Sequence, residues 1–552
     1  MTLRTPLFEN LGAALKPIIY FLLIVAVWAG LYLPNLGIPA FSGMEGLRYA
    51  VAKEMLVHRD WVHLYLNGDP YYNKPPLTMW LIAPMIGRFD QIDEFSARLP
   101  FALSMLAMAM LIFLVVSRWV TMERAMIVAL MPLTSVGALR FGRACEIDGL
   151  FAVFFIVAVL FWSDIWLSQV NRRKASIVLG IAIGLGGLCK GPLILALFAV
   201  FFALVALHAR DWRRTPIIAV ALGAAIPLLW VGAIYASGLG NDAFATWTHE
   251  MAMRFDRHVV PVGEPPWHAQ VMWGMMLTLP WSLLYPFLYL PNFLPKDRVM
   301  GALLRGGRDA GLLCFLGIIT MSGLQYQYLV PVGMLMALEI GLAAVVTPQS
   351  IRPALVYGLR FLTVAAALLL TVMSAAAVTF LDAGIGIAAG IAGLLLGLVL
   401  IRRSPHPRTA AEELKYSIAG VVGAAVLAII VVIPPLNAVN QDRDIGQKVS
   451  AIVPLGEKVY CPFSIDNMAA YIKRPVLIYV PDVQRNYLYA IIRESDLANF
   501  RQSKTLAVQD VMPFHYRTGW RREATTIHLV LLTMRDTTQT IDPDEVRSYI
   551  QS

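Results

Sequence analysis

Long apolar runs recur along this chain, and they limit its fold more than any other feature. Backbone lying in hydrocarbon must satisfy every N–H and C=O internally, so each run of about 20 apolar residues has to be a helix. At about 1.5 Å of rise per residue, such a helix crosses a bilayer. Candidate spans are 17–38, 96–118, 124–141, 147–167, 175–190, 192–208, 215–236, 268–290, 309–323, 327–346, 354–381, 384–401 and 415–433, about thirteen in all. The apolar stretch 77–88 is too short to cross and fits a re-entrant or interfacial helix. Hydrophobic residues make up 58% of the 552 and charged residues 15%, where soluble domains have about 45–50% and about 25%. The fold class that follows is an all-α polytopic membrane protein.

The net charge of +9 would suit nucleic acid, but its distribution excludes that partner. Lysine and arginine cluster in short loops between apolar runs: Arg172-Arg173-Lys174, Arg210 to Arg214, Lys296 to Arg308 and Arg402 to Lys415. This is the bias of cytoplasmic loops. It places the N-terminus in the cytoplasm, with the first run read as a retained span, and the loops 39–95 and 237–267 on the outer side. An odd number of spans puts the tail outside as well. Residues 1–436 then form a transmembrane domain, and 437–552 form a small outer domain. In that tail Lys458–Cys461, Val476–Val480 and Ile527–Leu532 read as strands, and 445–452 and 485–500 as helices, giving an α/β domain large enough to fold alone. The four cysteines, Cys145, Cys189, Cys314 and Cys461, show no metal-ligand spacing, and no disulfide is expected.

Polar residues gather on the outer side. Residues 44–57 form an amphipathic interfacial helix on which Glu45 and Arg48, three apart, share a face. They are either a surface ion pair or part of a cavity. Lys74 precedes Pro75-Pro76, where it either snorkels or binds an anion. Lys190 joins two spans almost without a loop. Asp148 opens a span, where it meets the helix dipole, yet Arg140, Arg143 and Glu146 beside it are more than a cap requires. The loop 237–267 offers Glu250 and Arg254, with His258 and His268 near its end, and the spacing of the histidines leaves a metal ion and an interfacial role both open. Tyr328 stands at the outer end of another span. Arg48, Lys74, Lys190 and Arg254 are cations able to hold a phosphate, beside the acids Glu45 and Asp148.

The segments Glu45-Gly46-Leu47-Arg48-Tyr49-Ala50, Asp60-Trp61, Asn67-Gly68-Asp69-Pro70-Tyr71 and Lys74-Pro75-Pro76-Leu77 carry a resemblance that continues through Arg143 to Asp148, Lys190-Gly191-Pro192, Arg254-Phe255 and Tyr328-Leu329-Val330-Pro331. In order and loop placement they resemble the GT-C superfamily of polyprenyl-phosphate-dependent glycosyltransferases. The chain is most similar there to the bacterial branch of lipid A aminoarabinose transferases (ArnT-like) and protein O-mannosyltransferase-like enzymes. The resemblance implies a GT-C membrane domain with a periplasmic α/β domain, in the bacterial inner membrane. It implies an inverting transfer of one sugar from an undecaprenyl-phosphate-linked donor to lipid A or a related envelope glycolipid, with protein O-glycosylation as the alternative acceptor chemistry.

By the same resemblance Glu45 and Asp148 are the catalytic acids, and Arg48, Lys74, Arg254 and Lys190 bind the donor phosphate. Tyr328 and Arg143 contact the head group or acceptor. Glutamate at 45 replaces the aspartate usual in the family, and Asn73 and Met251 depart from relatives that hold a structural metal, so no cofactor is implied. A transporter is the contrasting class, but transporters gather polar groups near the midplane and show repeated halves. Here those groups lie at the outer interface and no repeat is visible.

Overall fold

The apolar runs become helices. The computed structural model describes residues 6–66, 68–86, 93–167, 172–212, 216–255, 266–346 apart from 292 and 322, 410–431, 434, 440–461, 466–473, 476–477, 486–516 and 525–549 apart from 537, 543–545 and 547–548. Two compact units divide the chain. One comprises Met1–Leu36, Tyr72–Thr78 and Arg98–Val432, the other Gly37–Tyr71, Met79–Ala97 and Ile433–Ser552.

The first unit is helical. Among the described residues, the helices long and apolar enough to cross a membrane include Ile147–Leu167, Ile217–Ala236 and Tyr326–Val346. In the first and last of these, 89% and 94% of the apolar window is buried, against 22% in Ile217–Ala236. The former therefore form the centre, while the latter turns apolar surface outward, as a lipid-facing helix does. Two expected spans are interrupted. The run 124–141 splits into Met122–Leu133 and Val136–Phe141, with the Ser135 hydroxyl capping the second by accepting from the Ala138 N–H at 3.3 Å. The run 268–290 becomes Trp267–Leu277 followed by a 3₁₀ helix over Trp281–Tyr289, bent by 87° where Pro280 denies a helical N–H. Within the stretch 77–88, the described residues form the short helix Leu77–Ile82 and one 3₁₀ turn over Ala83–Met85. The expected spans 354–381 and 384–401 lie outside the described residues.

Helices Ile147–Leu167 and Arg172–Lys190 follow one another and pack together, so the start of the first meets the end of the second. Gly191, at φ +74°, ends the second helix immediately after Lys190, and its N–H returns to the Gly187 carbonyl at 2.8 Å. Gly149 lets the first helix begin tight against Val136–Phe141, because a Cβ there would lie 2.5 Å from the Phe141 carbonyl oxygen.

In the second unit, Glu45–His58 is helical as expected, and a five-stranded mixed sheet runs in the order β4-β3-β5-β7-β6. Numbered after a small hairpin of β1 (Tyr65–Leu66) and β2 (Asp69–Pro70), these strands are β3 (Val459–Tyr460), β4 (Val476–Leu477), β5 (Tyr487–Arg493), β6 (Leu506–Tyr516) and β7 (Thr525–Met534). β3 runs parallel to β4 and β5, whereas β7 runs antiparallel to β5 and β6. One face packs Val459, Cys461, Ile491 and Leu529 with Ile445 and Val449 of helix Asp442–Ile452. The other packs Leu488, Ala490, Val530 and Leu532 with Leu497 and Phe500.

The helix expected over 485–500 is instead β5 followed by helix Glu494–Arg501. Half-buried Tyr487 and Tyr489 alternate with buried Leu488 and Ala490, a period of two that neighbouring strands stabilise. A buried polar knot also holds this unit. The Tyr471 hydroxyl donates to Glu94 Oε1 at 2.7 Å and accepts the Phe41 N–H at 2.7 Å, while Arg443 Nη2 reaches the same carboxylate at 2.6 Å. Burial, together with the Glu94 charge, pushes the Tyr471 phenol above its usual range, which keeps it a donor.

Gly149→Ala is expected to lower stability by about 1–3 kcal/mol, the cost of overpacking a tight contact. Thermal unfolding of the detergent-solubilised protein measures this, and an unchanged Tm would show that the helix start tolerates displacement.

Candidate active site

Three sequence-predicted residues come together in the first unit. Asp148, in the first turn of Ile147–Leu167, and Lys190, the last residue of Arg172–Lys190, form an ion pair. Each lies where the dipole of its own helix favours its charge. The Lys190 ammonium also sits 4.0 Å from the Tyr328 ring centroid and 5.7 Å from that of Phe151, within cation–π range. Asp148 is 7% exposed and Tyr328 9%. Asp148 thus meets its helix dipole and is ion-paired as well, and Lys190 has the named partner that a structural role there calls for.

A second group forms around Glu250, on helix Gly240–Phe255. Lys74 Nζ reaches Glu250 Oε2 at 3.1 Å, and Asn73 Nδ2 donates to Oε1 at 3.0 Å. Trp247, one turn earlier, donates its indole N–H to the Tyr72 carbonyl at 2.8 Å. Residues 72–74 are therefore held on this helix by three hydrogen bonds. An amide donor bound to a carboxylate does not make a metal site, and among the described residues no group of three or more His, Cys, Asp and Glu is placed to hold one. Arg254 lies four residues beyond Glu250 on the same helix, but its side chain, like His258, lies outside the described residues. Arg143 serves a different end. Its guanidinium donates to the Leu31 and Pro34 carbonyls at 2.7 and 2.6 Å, closing the C-terminus of helix Pro6–Tyr32.

In the second unit Glu45 and Arg48 share helix Glu45–His58 and are 1% and 5% exposed. Glu45 Oε2 accepts the Ser42 N–H at 3.0 Å, and Asn467 Oδ1 accepts the Gly46 N–H at 3.1 Å, so the helix start is closed from both sides. The guanidinium of Arg48 donates to the Tyr71 hydroxyl at 2.5 Å, while its buried Nε has no partner among the described residues. A buried donor left open is costly unless something binds there. Asp60 is a turn residue: its Oδ1 accepts the Val62 and His63 N–H groups at 2.9 and 3.0 Å. Sequence reasoning missed Tyr71 and Asn467, and named Glu250 without its partners. Tyr71 stands inside a motif already quoted, and only the fold reveals its partner.

A family model described as dolichyl-phosphate-mannose-protein mannosyltransferase matches residues 73–235. An undecaprenyl phosphate-alpha-4-amino-4-deoxy-L-arabinose arabinosyl transferase of Pseudomonas savastanoi pv. phaseolicola is 28% identical over 258 residues, covering 46% of this chain and 47% of that protein. A second such transferase, from Pseudomonas fluorescens, is 31% identical over 253 residues, covering 43% and 42%. The chain spans about half the length of the curated relatives it matches. The crystal structure of ArnT from Cupriavidus metallidurans bound to undecaprenyl phosphate superimposes with a TM-score of 0.71, at 18% identity, over 93% of this chain and 98% of that one. The chain has the ArnT fold. Its likeness to these transferases holds over half its length in sequence and over nearly all of it in backbone.

Lys190→Met is expected to destabilise the protein by about 3–5 kcal/mol, because it strands a buried carboxylate. The double variant Asp148→Asn, Lys190→Met should recover most of that loss in thermal unfolding. Asp60 titrates below its usual range: burial pushes it up, but the His63 and Val62 N–H groups and the His63 side chain pull it down further. A carboxylate depressed in the folded state stabilises above its unfolded pKa of about 3.9 and loses that contribution as the pH falls. Amide exchange at Val62 and His63, corrected for the intrinsic rate, should therefore accelerate below about pH 4.

Proposed function

We propose that the protein is an inner-membrane glycosyltransferase that moves a single sugar from an undecaprenyl-phosphate-linked donor to lipid A or a related envelope glycolipid on the periplasmic face. The observation that carries this reading is the buried Asp148–Lys190 pair against Tyr328, at the end of membrane helices. Ionised groups there are functional by default. The ArnT fold supports it, since that fold was crystallised with undecaprenyl phosphate. In this reading about thirteen spans carry the chain across the bilayer, with the N-terminus cytoplasmic. Residues 1–436 form the membrane domain and 437–552 the periplasmic α/β domain.

The chemistry follows from the residue types. The C1–O bond to the phosphate breaks with its electron pair leaving on the phosphate oxygen, and Lys190, Lys74, Arg254 and Arg48 are assigned to hold that charge. The acceptor hydroxyl oxygen bonds to C1, and its proton passes to a carboxylate, for which Glu45 is the assigned base. Asp148 holds Lys190 in place, and steadies positive charge developing on the sugar ring. Direct attack inverts the anomeric centre. Tyr328 is assigned to the head group. Arg143 shapes the outer end of the first helix, and its assignment to the acceptor rests on resemblance alone.

Mass spectrometry of envelope lipids tests this. Cells with the wild-type protein should carry a sugar-sized addition on lipid A or another glycolipid that a deletion strain lacks, and Glu45→Gln should reduce it by about 10²–10⁴-fold. Retention in Glu45→Gln would remove that residue as the base. Lipids identical in all strains would remove the glycolipid acceptor. The second reading, protein O-glycosylation, is favoured by the mannosyltransferase family model over residues 73–235, and the same strains would then differ in their glycoproteins.

A further inference from the structure

The two helices Asp442–Ile452 and Asp466–Tyr471 cover only part of the sheet face that packs Val459, Ile491 and Leu529. Beyond them the face continues as a groove of about 560 Å³ lined by Glu457, Asn486, Tyr487, Tyr489, Leu531 and Thr533. That volume falls within the roughly 300–1,000 Å³ of small-molecule sites. We propose that this groove binds a pyranose ring of the acceptor's sugar portion, one that carries hydroxyl or amino groups rather than phosphate. The proposal deepens the transferase reading and rests on it for the saccharide being an acceptor.

The argument lies in the lining. Tyr487 and Tyr489 are two apart on β5, so both rings stand on the same face, half-buried, with Thr533 and Leu531 directly opposite on β7. Tyrosine rings beside a leucine make a flat apolar floor for the C–H face of a sugar ring, and their hydroxyls remain at the rim. The Tyr487 hydroxyl donates to Glu457 Oε1 at 2.9 Å, which places a carboxylate at one edge. The Asn486 amide and the Thr533 hydroxyl add donors and acceptors of the kind that sugar hydroxyls require. Among the described residues no cation lines the groove, and Glu457 repels a phosphate while attracting an amine. The Asn486 carbonyl accepts the Met534 N–H at 2.8 Å, and this fixes the groove floor at the strand ends.

Saturation-transfer NMR on the full-length protein in lipid nanodiscs tests this, with glucosamine and N-acetylglucosamine disaccharides as probes and glucose 1-phosphate as the anionic control. The expected result is saturation of the ring C–H protons of both disaccharides. Binding should be about tenfold weaker, or lost, in Tyr489→Ala. Tyr489 also packs against the sheet core, so Thr533→Trp, which fills the groove without emptying the core, is the second variant. No saturation in the wild type, equal saturation in Thr533→Trp, or stronger binding of glucose 1-phosphate would overturn the proposal. Sugar transfer is followed in the same preparations. Transfer without disaccharide binding overturns the groove and leaves the transferase standing, whereas binding without transfer leaves the groove as a saccharide site and overturns the transferase.

Discussion

The ion pair of Asp148 with Lys190 is the interaction around which the first unit is arranged. Two consecutive helices bring opposite charges to one end, and removing either partner would leave the other buried without its counter-charge. The sequence supports this geometry at several points. Gly191 stops the second helix just after the lysine, Gly149 seats the first against Phe141, and the Tyr328 ring covers the ammonium. Each helix dipole favours the charge placed on it. A pair of this kind contributes little net stability. Its value is a lysine held in one orientation, ready for an anion.

The described cations differ in how fully their own carboxylates occupy them. Lys190 is held by Asp148, and Lys74 by Glu250. Arg48 is met by a neutral phenol and keeps a buried N–H open. Paired cations need little rearrangement when a ligand arrives, because a carboxylate already holds them in position. An unsatisfied guanidinium N–H instead favours whatever acceptor reaches it. Both arrangements are pre-organised, but the second draws its specificity from the ligand.

Much of the helical architecture is legible in the sequence, since apolar run length and hydrocarbon thickness decide it. Ile147–Leu167 and Ile217–Ala236 fall within two residues of the expected spans. What is not legible is where a run breaks. The 87° bend near Pro280 and the split at Ser135 depend on a local cap and a missing N–H inside otherwise continuous apolar sequence. The same limit explains β5: residues 485–500 contain enough apolar positions to satisfy either period, and the neighbouring strands decide. In the candidate site Asp148 and Lys190 stand out because membrane segments rarely hold charges, and their pairing against Tyr328 comes from the fold. Tyr71, Glu250 and Asn467 do not stand out, because a tyrosine, an acid or an asparagine in an outer loop is ordinary until its partner is known.

The edge position of β6 carries a further consequence. Pro513 lies within that strand, and the register shifts between Asp510 and Met512. Proline offers no N–H to an incoming strand, and a bulge twists the edge away from one. That edge of the sheet is thereby a poor template for growth by strand addition from another chain. A sheet edged in this way keeps to itself by covalent chemistry written into one strand.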